Sequence, residues 1–507
     1  MSCSVIQSRK IESMAIEDGG RDEYVEEREQ PAWFTPERML LILCMINLLN
    51  YIDRGAIASN GVNGTLGNST CSGEDDCFEG RGIQGDFSLS NFQDGVLASA
   101  FMLGLLISSP IFAELSKNYN HMRLIGVGLS VWTAATLGCG LSLGFWSIAF
   151  FRALVGVAEA SFISLAAPFI DDYAPPESRT AWLSYFYACI PVGVALGYVY
   201  GGVVGGSLGW RAAFILESLL MLPFAIFGFV TKPVYLKTKR DDTNSKALLE
   251  KADYPTLGDE ESSSIWKSPV KTWNLIVKQG SGIGEDLKLL FKEPIYVVDV
   301  LGYVAYNFVI GAYAYFGPKV GAAIYHMENP DILFGGSTIL AGISGTLCGG
   351  LVLDKIGSTV PNAFRFLGIS SFVGAVLCFT AFTFSTLLPF IILFTLGDFF
   401  LFATQGPVNF ITLHSVHPNN RPIALAMCTV LIHILGDVPS APLIGLLQDY
   451  LQNWRTSSLI LTSVLFPCSI IWYSGSYLPA KDAPLADEPR SSLESNKPRA
   501  TLLPGQE

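Results

Sequence analysis

The chain is 507 residues long, 50% hydrophobic and only 15% charged, with a formal net charge of −12. Soluble proteins carry about a quarter charged residues, so this balance excludes an ordinary water-soluble protein of the same length. With 32 Lys and Arg against 44 Asp and Glu, it also excludes the basic footprint of a nucleic-acid binder.

Residues 1–35 are polar and acidic and read as a disordered tail. The apolar run that follows is too long for the core of a signal peptide, so no cleavable leader is expected. Apolar stretches of roughly 20 residues, each enough to cross a bilayer as a helix, then recur about twelve times. They lie near 39–58, 93–113, 123–143, 145–169, 181–204, 210–231, 295–317, 332–353, 364–384, 386–412, 422–447 and 456–478. A dozen such runs in series predict an all-α, multi-pass membrane protein.

The segment between the first two runs holds a single basic residue, Arg81, whereas the segment between the sixth and seventh holds Lys232, Lys237, Lys239, Arg240, Lys267, Lys271, Lys278 and Lys288. Positive residues favour the cytoplasmic side. The Asn60–Asn91 segment is therefore expected on the lumenal or extracellular side, and both termini in the cytoplasm. That segment also carries two glycosylation acceptors, Asn63 in Asn63-Gly64-Thr65 and Asn68 in Asn68-Ser69-Thr70, and the pair Cys71 and Cys77, close enough for a small disulfide. Cys44, Cys139 and Cys189 lie in apolar runs and read as small core residues. Residues 232–292 form a polar linker expected to be largely flexible, whose end, Glu285-Asp286-Leu287-Lys288-Leu289-Leu290, fits an interfacial helix or a dileucine sorting signal. Residues 480–507 read as a second disordered tail.

Motifs recur at half the chain length. Glu114 and Asp354 lie 240 apart, Arg179 and Arg421 lie 242 apart, and the Trp210-Arg211 and Trp454-Arg455 pairs lie 244 apart. Two homologous bundles of six spans, 36–231 and 293–479, account for this. The stretch Gly350-Leu351-Val352-Leu353-Asp354-Lys355-Ile356-Gly357, falling between the second and third spans of a half, resembles the gating motif of the major facilitator superfamily. Its counterpart in the first half is degenerate, with Pro110 and Glu114 in place of glycine and aspartate.

Within that superfamily the chain is most similar to the spinster family, in its plant branch. The resemblance rests on Asn50-Tyr51-Ile52-Asp53-Arg54, Gly82-Ile83-Gln84-Gly85-Asp86-Phe87, Arg152 with Glu159-Ala160-Ser161, Trp210-Arg211-Ala212-Ala213-Phe214, and His433 with Gly436-Asp437 and Ser440. It implies a monomeric carrier of sphingolipids or lysophospholipids, proton-linked or facilitated, in late endosomal, lysosomal or vacuolar membranes. The plasma membrane is the alternative location. It implies no cofactor and no metal.

Charges inside apolar runs single out the candidate site, because an ion in hydrocarbon is expensive and persists only with a partner or a function. With a rise of about 1.5 Å per residue, Asp53 and Arg152 both fall about 6 Å to the lumenal side of their span centres, and Glu159 about 4.5 Å to the other side. Asp53 and Arg152 are expected to meet, with Glu159 two turns from Arg152 on the same face. Asp53, Glu159 and Arg152 are the candidate proton-coupling residues: a carboxylate keeps its charge beside an arginine and loses it in a dry cavity. A static ion pair that fixes helix packing is the competing reading.

Arg54, adjacent to Asp53, points elsewhere and is read as a holder of a phosphate or carboxylate headgroup, or as part of the lumenal mouth. His433 and Asp437, at helical spacing, line the cavity or pair at a helix interface. Glu217, Tyr306 and Asn307 complete the candidate headgroup and cavity set, with Tyr313 and Tyr315 as further path residues. Asp398, Gln405, Asn409 and His414 are the remaining polar positions of the tenth run. Gly350, Asp354, Lys355, Gly357 and Glu114 form the gating set. Gly193, Gly197 and Gly201 make a small-residue stripe for close packing or hinging.

An enzyme is disfavoured: no H-E-x-x-H or phosphate-cradling loop occurs, and only His433 sits with an acid at helical spacing inside a span. A carrier of a small organic anion or sugar, and a receptor or sensor on a transporter fold, are the alternatives to a lipid carrier.

Overall fold

Twelve helices long and apolar enough to cross a membrane occur among the described residues of the computed structural model, which are 35–67, 80–115, 120–175, 179–230, 290–416 and 421–479. We number them α1 (Pro36–Ala58), α2 (Asn91–Phe112), α3 (His121–Gly140), α4 (Phe145–Ile170), α5 (Trp182–Leu208) and α6 (Trp210–Phe229), then α7 (Pro294–Tyr325), α8 (Pro330–Ile356), α9 (Val360–Thr383), α10 (Leu387–His414), α11 (Ile423–Leu451) and α12 (Trp454–Gly475). Local chemistry sets their ends. Thr35 accepts the Arg38 amide at 3.3 Å with Pro36 next to it, Asn120 accepts the Met122 amide at 3.0 Å, and Asn453 accepts the Thr456 amide at 3.2 Å. The turns after α5 and α8 use Gly209 and Gly357 at φ +88° and +89°, a region that favours glycine.

The sequence repeat is a repeat of packing. In the first half α1 packs on α5, α2 on α4 and α3 on α6; in the second, α7 packs on α11, α8 on α10 and α9 on α12. The Trp-Arg motifs show what the repeat is for. Arg211 Nη2 donates to the Ser142 carbonyl at 3.3 Å, just beyond α3, and Arg455 Nη1 donates to the Phe384 carbonyl at 2.8 Å, just beyond α9. Each arginine thus caps the C-terminal carbonyls of the helix its own span packs against. Arg211 also pairs with Asp86, which accepts Trp210 Nε1 at 3.2 Å, so two of the separated family motifs meet in space.

The halves touch through α2 against α11 and α5 against α8, the pairs that the repeat makes equivalent. The glycine stripe of α5 serves packing: a Cβ on Gly197 would collide with the Ile52 carbonyl of α1 and lie 2.8 Å from Gly55 Cα. In the gating motif, open space surrounds Gly350, and it is Gly349 that needs to be glycine, because a Cβ there would collide with the Ala403 carbonyl of α10. The expected role of Gly350 in close helix approach is thereby transferred one residue back. Asp354 accepts Ser358 Oγ at 3.0 Å and Gly357 ends the helix; Asp354, Lys355 and Gly357 are all exposed. Asn68, Cys71, Cys77, residues 232–289 and both tails lie outside the described residues, as does the side chain of Glu114.

Candidate functional site

A buried stripe on α1 runs through Met39, Leu43, Ile46, Asn47, Asn50 and Asp53, so three polar residues at three-residue spacing face the interior of the first half. At its end Asp53 is fully buried, and Arg152 Nη1 of α4 donates to both its carboxylate oxygens, at 2.8 and 2.9 Å. The level matching expected from helical rise is met.

Arg54 departs from expectation. It neither lines a mouth nor waits for a headgroup: its Nη2 lies 2.7 Å from Glu159 Oε1, and its guanidinium sits 4.7 Å from the ring centroids of both Tyr51 and Phe101. Arg54 and Asp53 do leave α1 at different angles, but the arginine side chain is long enough to reach around to α4. Glu217 of α6 is likewise not a cavity residue. It is 2% exposed, both its oxygens lack hydrogen-bond partners, and it interacts electrostatically with Asp53 and Arg152. Glu159 Oε2 has no partner either. Asp53, Glu159 and Glu217 therefore share one dry compartment with Arg54 and Arg152. Three carboxyls face two guanidiniums, and binding one proton makes the cluster electroneutral.

A cavity of about 830 Å³ lies between the halves, walled by α5, α7, α8, α10 and α11. At its deep end Phe334 and Phe394 are buried, while Thr346, Asn409 and Thr429 toward the end where α6 finishes and α7 begins are exposed. Tyr187 of its wall interacts with Tyr51, which carries Arg54 on its ring, so the cavity and the charge cluster adjoin.

Several residues expected to line the path are elsewhere. Tyr306 is 1% exposed, its ring 5.9 Å from that of Trp472, and Asn307 Nδ2 donates to the Tyr303 carbonyl at 2.8 Å. Neither lines this cavity, nor do His433 and Asp437. His433 Nδ1 and Asp437 Oδ2 are paired at 2.6 Å in a π-helical turn whose Gly436 presses on α7, the interface alternative of the sequence reading. Tyr313, Asp398, Gln405 and Asn409 do line it.

The opposite end is closed by bonds that sequence reading missed. Lys319 of α7, 3% exposed, donates to Asp94 Oδ2 of α2 and to Asn63 Oδ1, each at 2.7 Å. Asn63 Nδ2 donates to Asp94 Oδ1 at 2.9 Å and Tyr315 donates to the same oxygen at 2.8 Å. Asn63, 1% exposed with its amide engaged at both ends, is not a presented glycan acceptor; a sugar on Nδ2 is incompatible with this packing. Asp449 of α11 accepts the Asn91 and Phe92 amides at 3.0 and 2.9 Å, and Asp331 of α8 accepts the Asn60 amide at 2.7 Å. A lone lysine in an apolar run was the one sequence signal available for this closure.

The profile described as Major Facilitator Superfamily matches residues 43–436. Over 474 residues the chain is 54% identical to a protein of Arabidopsis thaliana named probable sphingolipid transporter spinster homolog 2, with 94% of each covered. It is 28% identical over 443 residues to protein spinster homolog 1 of Homo sapiens, covering 83% of this chain and 75% of that one. A bacterial homolog to the human lysosomal transporter Spinster, solved in an inward-facing and unoccupied conformation, superposes with TM-score 0.67 at 16% identity, covering 87% of this chain and 97% of that chain.

Proposed function

The chain belongs to the major facilitator superfamily and, within it, to the spinster family, and on that premise we propose that it moves a sphingolipid or lysophospholipid across its membrane by proton-linked alternating access. It is a multi-pass membrane transporter, not an enzyme. The observation that carries the proton link is the composition of the sealed cluster, three carboxyls against two guanidiniums. A net charge held in hydrocarbon is costly, so the cluster takes up one proton where it meets the cytoplasmic cavity and releases it when the opposite side opens. Asp53 and Glu159 each hold one arginine, and Glu217 is the surplus acid. The electrostatic interaction of Tyr51 with Tyr187 supports a cluster lying near the wall that the cargo touches.

Alternating access follows from the two ends. With Asn63 and Asn91 on the lumenal side, the Lys319–Asp94–Asn63 bonds close that side while the cavity faces the cytoplasm, and rocking of the halves exchanges the two. In this state Asp354 makes no bond to the first half among the described residues, as expected of a cytoplasmic latch whose side stands open. Most of the described cavity lining is apolar, and none of it is Lys, Arg or His, which favours a lipid over a small organic anion or a sugar. The proposed setting is a late endosomal, lysosomal or vacuolar membrane, with the plasma membrane as alternative, and the proposed unit is a monomer.

Uptake of labelled lysophosphatidylcholine, sphingosine and glucose into proteoliposomes tests the cargo class. Lipid flux above that of protein-free vesicles is expected. Glucose flux without lipid flux overturns the lipid reading while leaving the superfamily assignment intact.

A further inference from the structure

Resting on the lipid-carrier reading, we propose that Asp398 is the headgroup site of the central cavity and that it takes a long-chain lipid with a free, protonated amine in preference to one whose headgroup is a phosphate. Asp398 lies about 16 Å along α10 from Leu387, near mid-membrane, where the cavity ends. It is 6% exposed, its Oδ1 is buried with no hydrogen-bond partner, and it makes no ion pair among the described residues. This differs from Asp53, Glu159 and Asp94, each of which has its own cation.

The neighbours supply no missing charge. The titratable groups that interact with Asp398 are Tyr198, Tyr306, Tyr313 and Cys378. Two of these hydroxyls are already committed, Tyr198 to the Ala314 carbonyl at 2.6 Å and Tyr313 to Thr462 Oγ1 at 2.5 Å. No Lys, Arg or His is among the described residues that line the cavity. A phosphate entering here would meet a carboxyl and no cation, and its lost hydration would go uncompensated. A primary ammonium brings three donors and the countercharge that the site lacks, and the adjacent rings of Tyr313 and Phe394, 5.3 Å apart, favour a cation on their faces. The hydrocarbon chain then follows Val194, Pro191 and Ile190 of α5 toward the open end. Among sphingolipids this chemistry is that of a free long-chain base.

Binding of sphingosine, sphingosine-1-phosphate and lysophosphatidylcholine to the purified full-length protein tests the assignment, with Asp398→Asn and Asp398→Glu beside it. Sphingosine is expected to bind at least tenfold tighter than either phosphate lipid. Asp398→Asn is expected to weaken sphingosine at least tenfold while leaving the phosphate lipids within twofold, and Asp398→Glu to recover part of the loss. A variant-free comparison guards against misfolding of Asp398→Asn: octadecylamine is expected to displace sphingosine at least tenfold better than octadecanol. Equal competition by amine and alcohol, or sphingosine affinity indifferent to Asp398→Asn, overturns the headgroup assignment. If phosphate lipids still bind, lipid carriage survives that result; if no lipid of any headgroup binds, both readings fall together.

Discussion

Arg152→Leu is expected to cost about 3–5 kcal/mol of stability, enough to abolish recovery of folded protein from detergent extracts. Asp53 is fully buried and both its oxygens accept from this one guanidinium, while Glu217 beside it has no hydrogen-bond partner of its own. Removing the arginine leaves two acids in a compartment where water does not reach them. The cost is that of the stranded acids and exceeds the worth of the pair, because a matched pair and a matched apolar replacement differ little. Asp53→Asn in the same chain is therefore expected to restore most of the loss. Thermal unfolding of the detergent-purified single and double variants measures this. A double variant no more stable than Arg152→Leu alone contradicts the assignment of the cost to Asp53.

The second large effect is expected at the closed end. Lys319→Met removes the only cation bonded to Asp94 among the described residues and breaks the bridge from α7 to α2 and Asn63. When that end opens, Lys319 and Asp94 both gain water, so the substitution penalises the closed state alone. A penalty of about 3 kcal/mol moves the ratio of closed to open protein roughly a hundredfold. Spin labels at Leu66→Cys and Tyr450→Cys, both exposed on opposite halves at that end, report the change. Growth of a longer-distance population in Lys319→Met, in a background without native cysteines, is the expected outcome. An unchanged distance distribution means that these bonds do not hold the gate.

What the sequence discloses and what it hides follow from physical causes. Asp53, Arg152 and Glu159 stand out because charge is rare in apolar runs, and the helical rise alone places the first two at one depth. The repeat is legible because Trp210-Arg211 and Trp454-Arg455 do equivalent capping work in each half. Arg54 was misread because backbone angle says where a side chain leaves the helix and nothing about where a long one ends. Asp94 looks like an ordinary first-turn acid beside a polar loop, and only its meeting with Lys319, 225 residues away, makes it part of a gate. Asp398 sits in the apolar first half of α10, with Phe390, Phe394, Gly397 and Leu401 buried beside it, and the polar residues that share its cavity face, Gln405 and Asn409, begin only two turns farther along. The sequon at Asn63 satisfies a short pattern but occupies a position that the gate uses.

The measurement closest to the central claim is lipid-evoked proton movement in proteoliposomes carrying an internal pH dye, with protein-free vesicles as baseline. Transported lipid is expected to move protons in the wild type. In Asp53→Asn and in Glu217→Gln, lipid is expected to cross with the proton signal reduced to baseline. Equal lipid flux with no proton movement in the wild type, or an undiminished proton signal in both variants, would contradict a proton-linked cluster and leave these residues a role in packing alone.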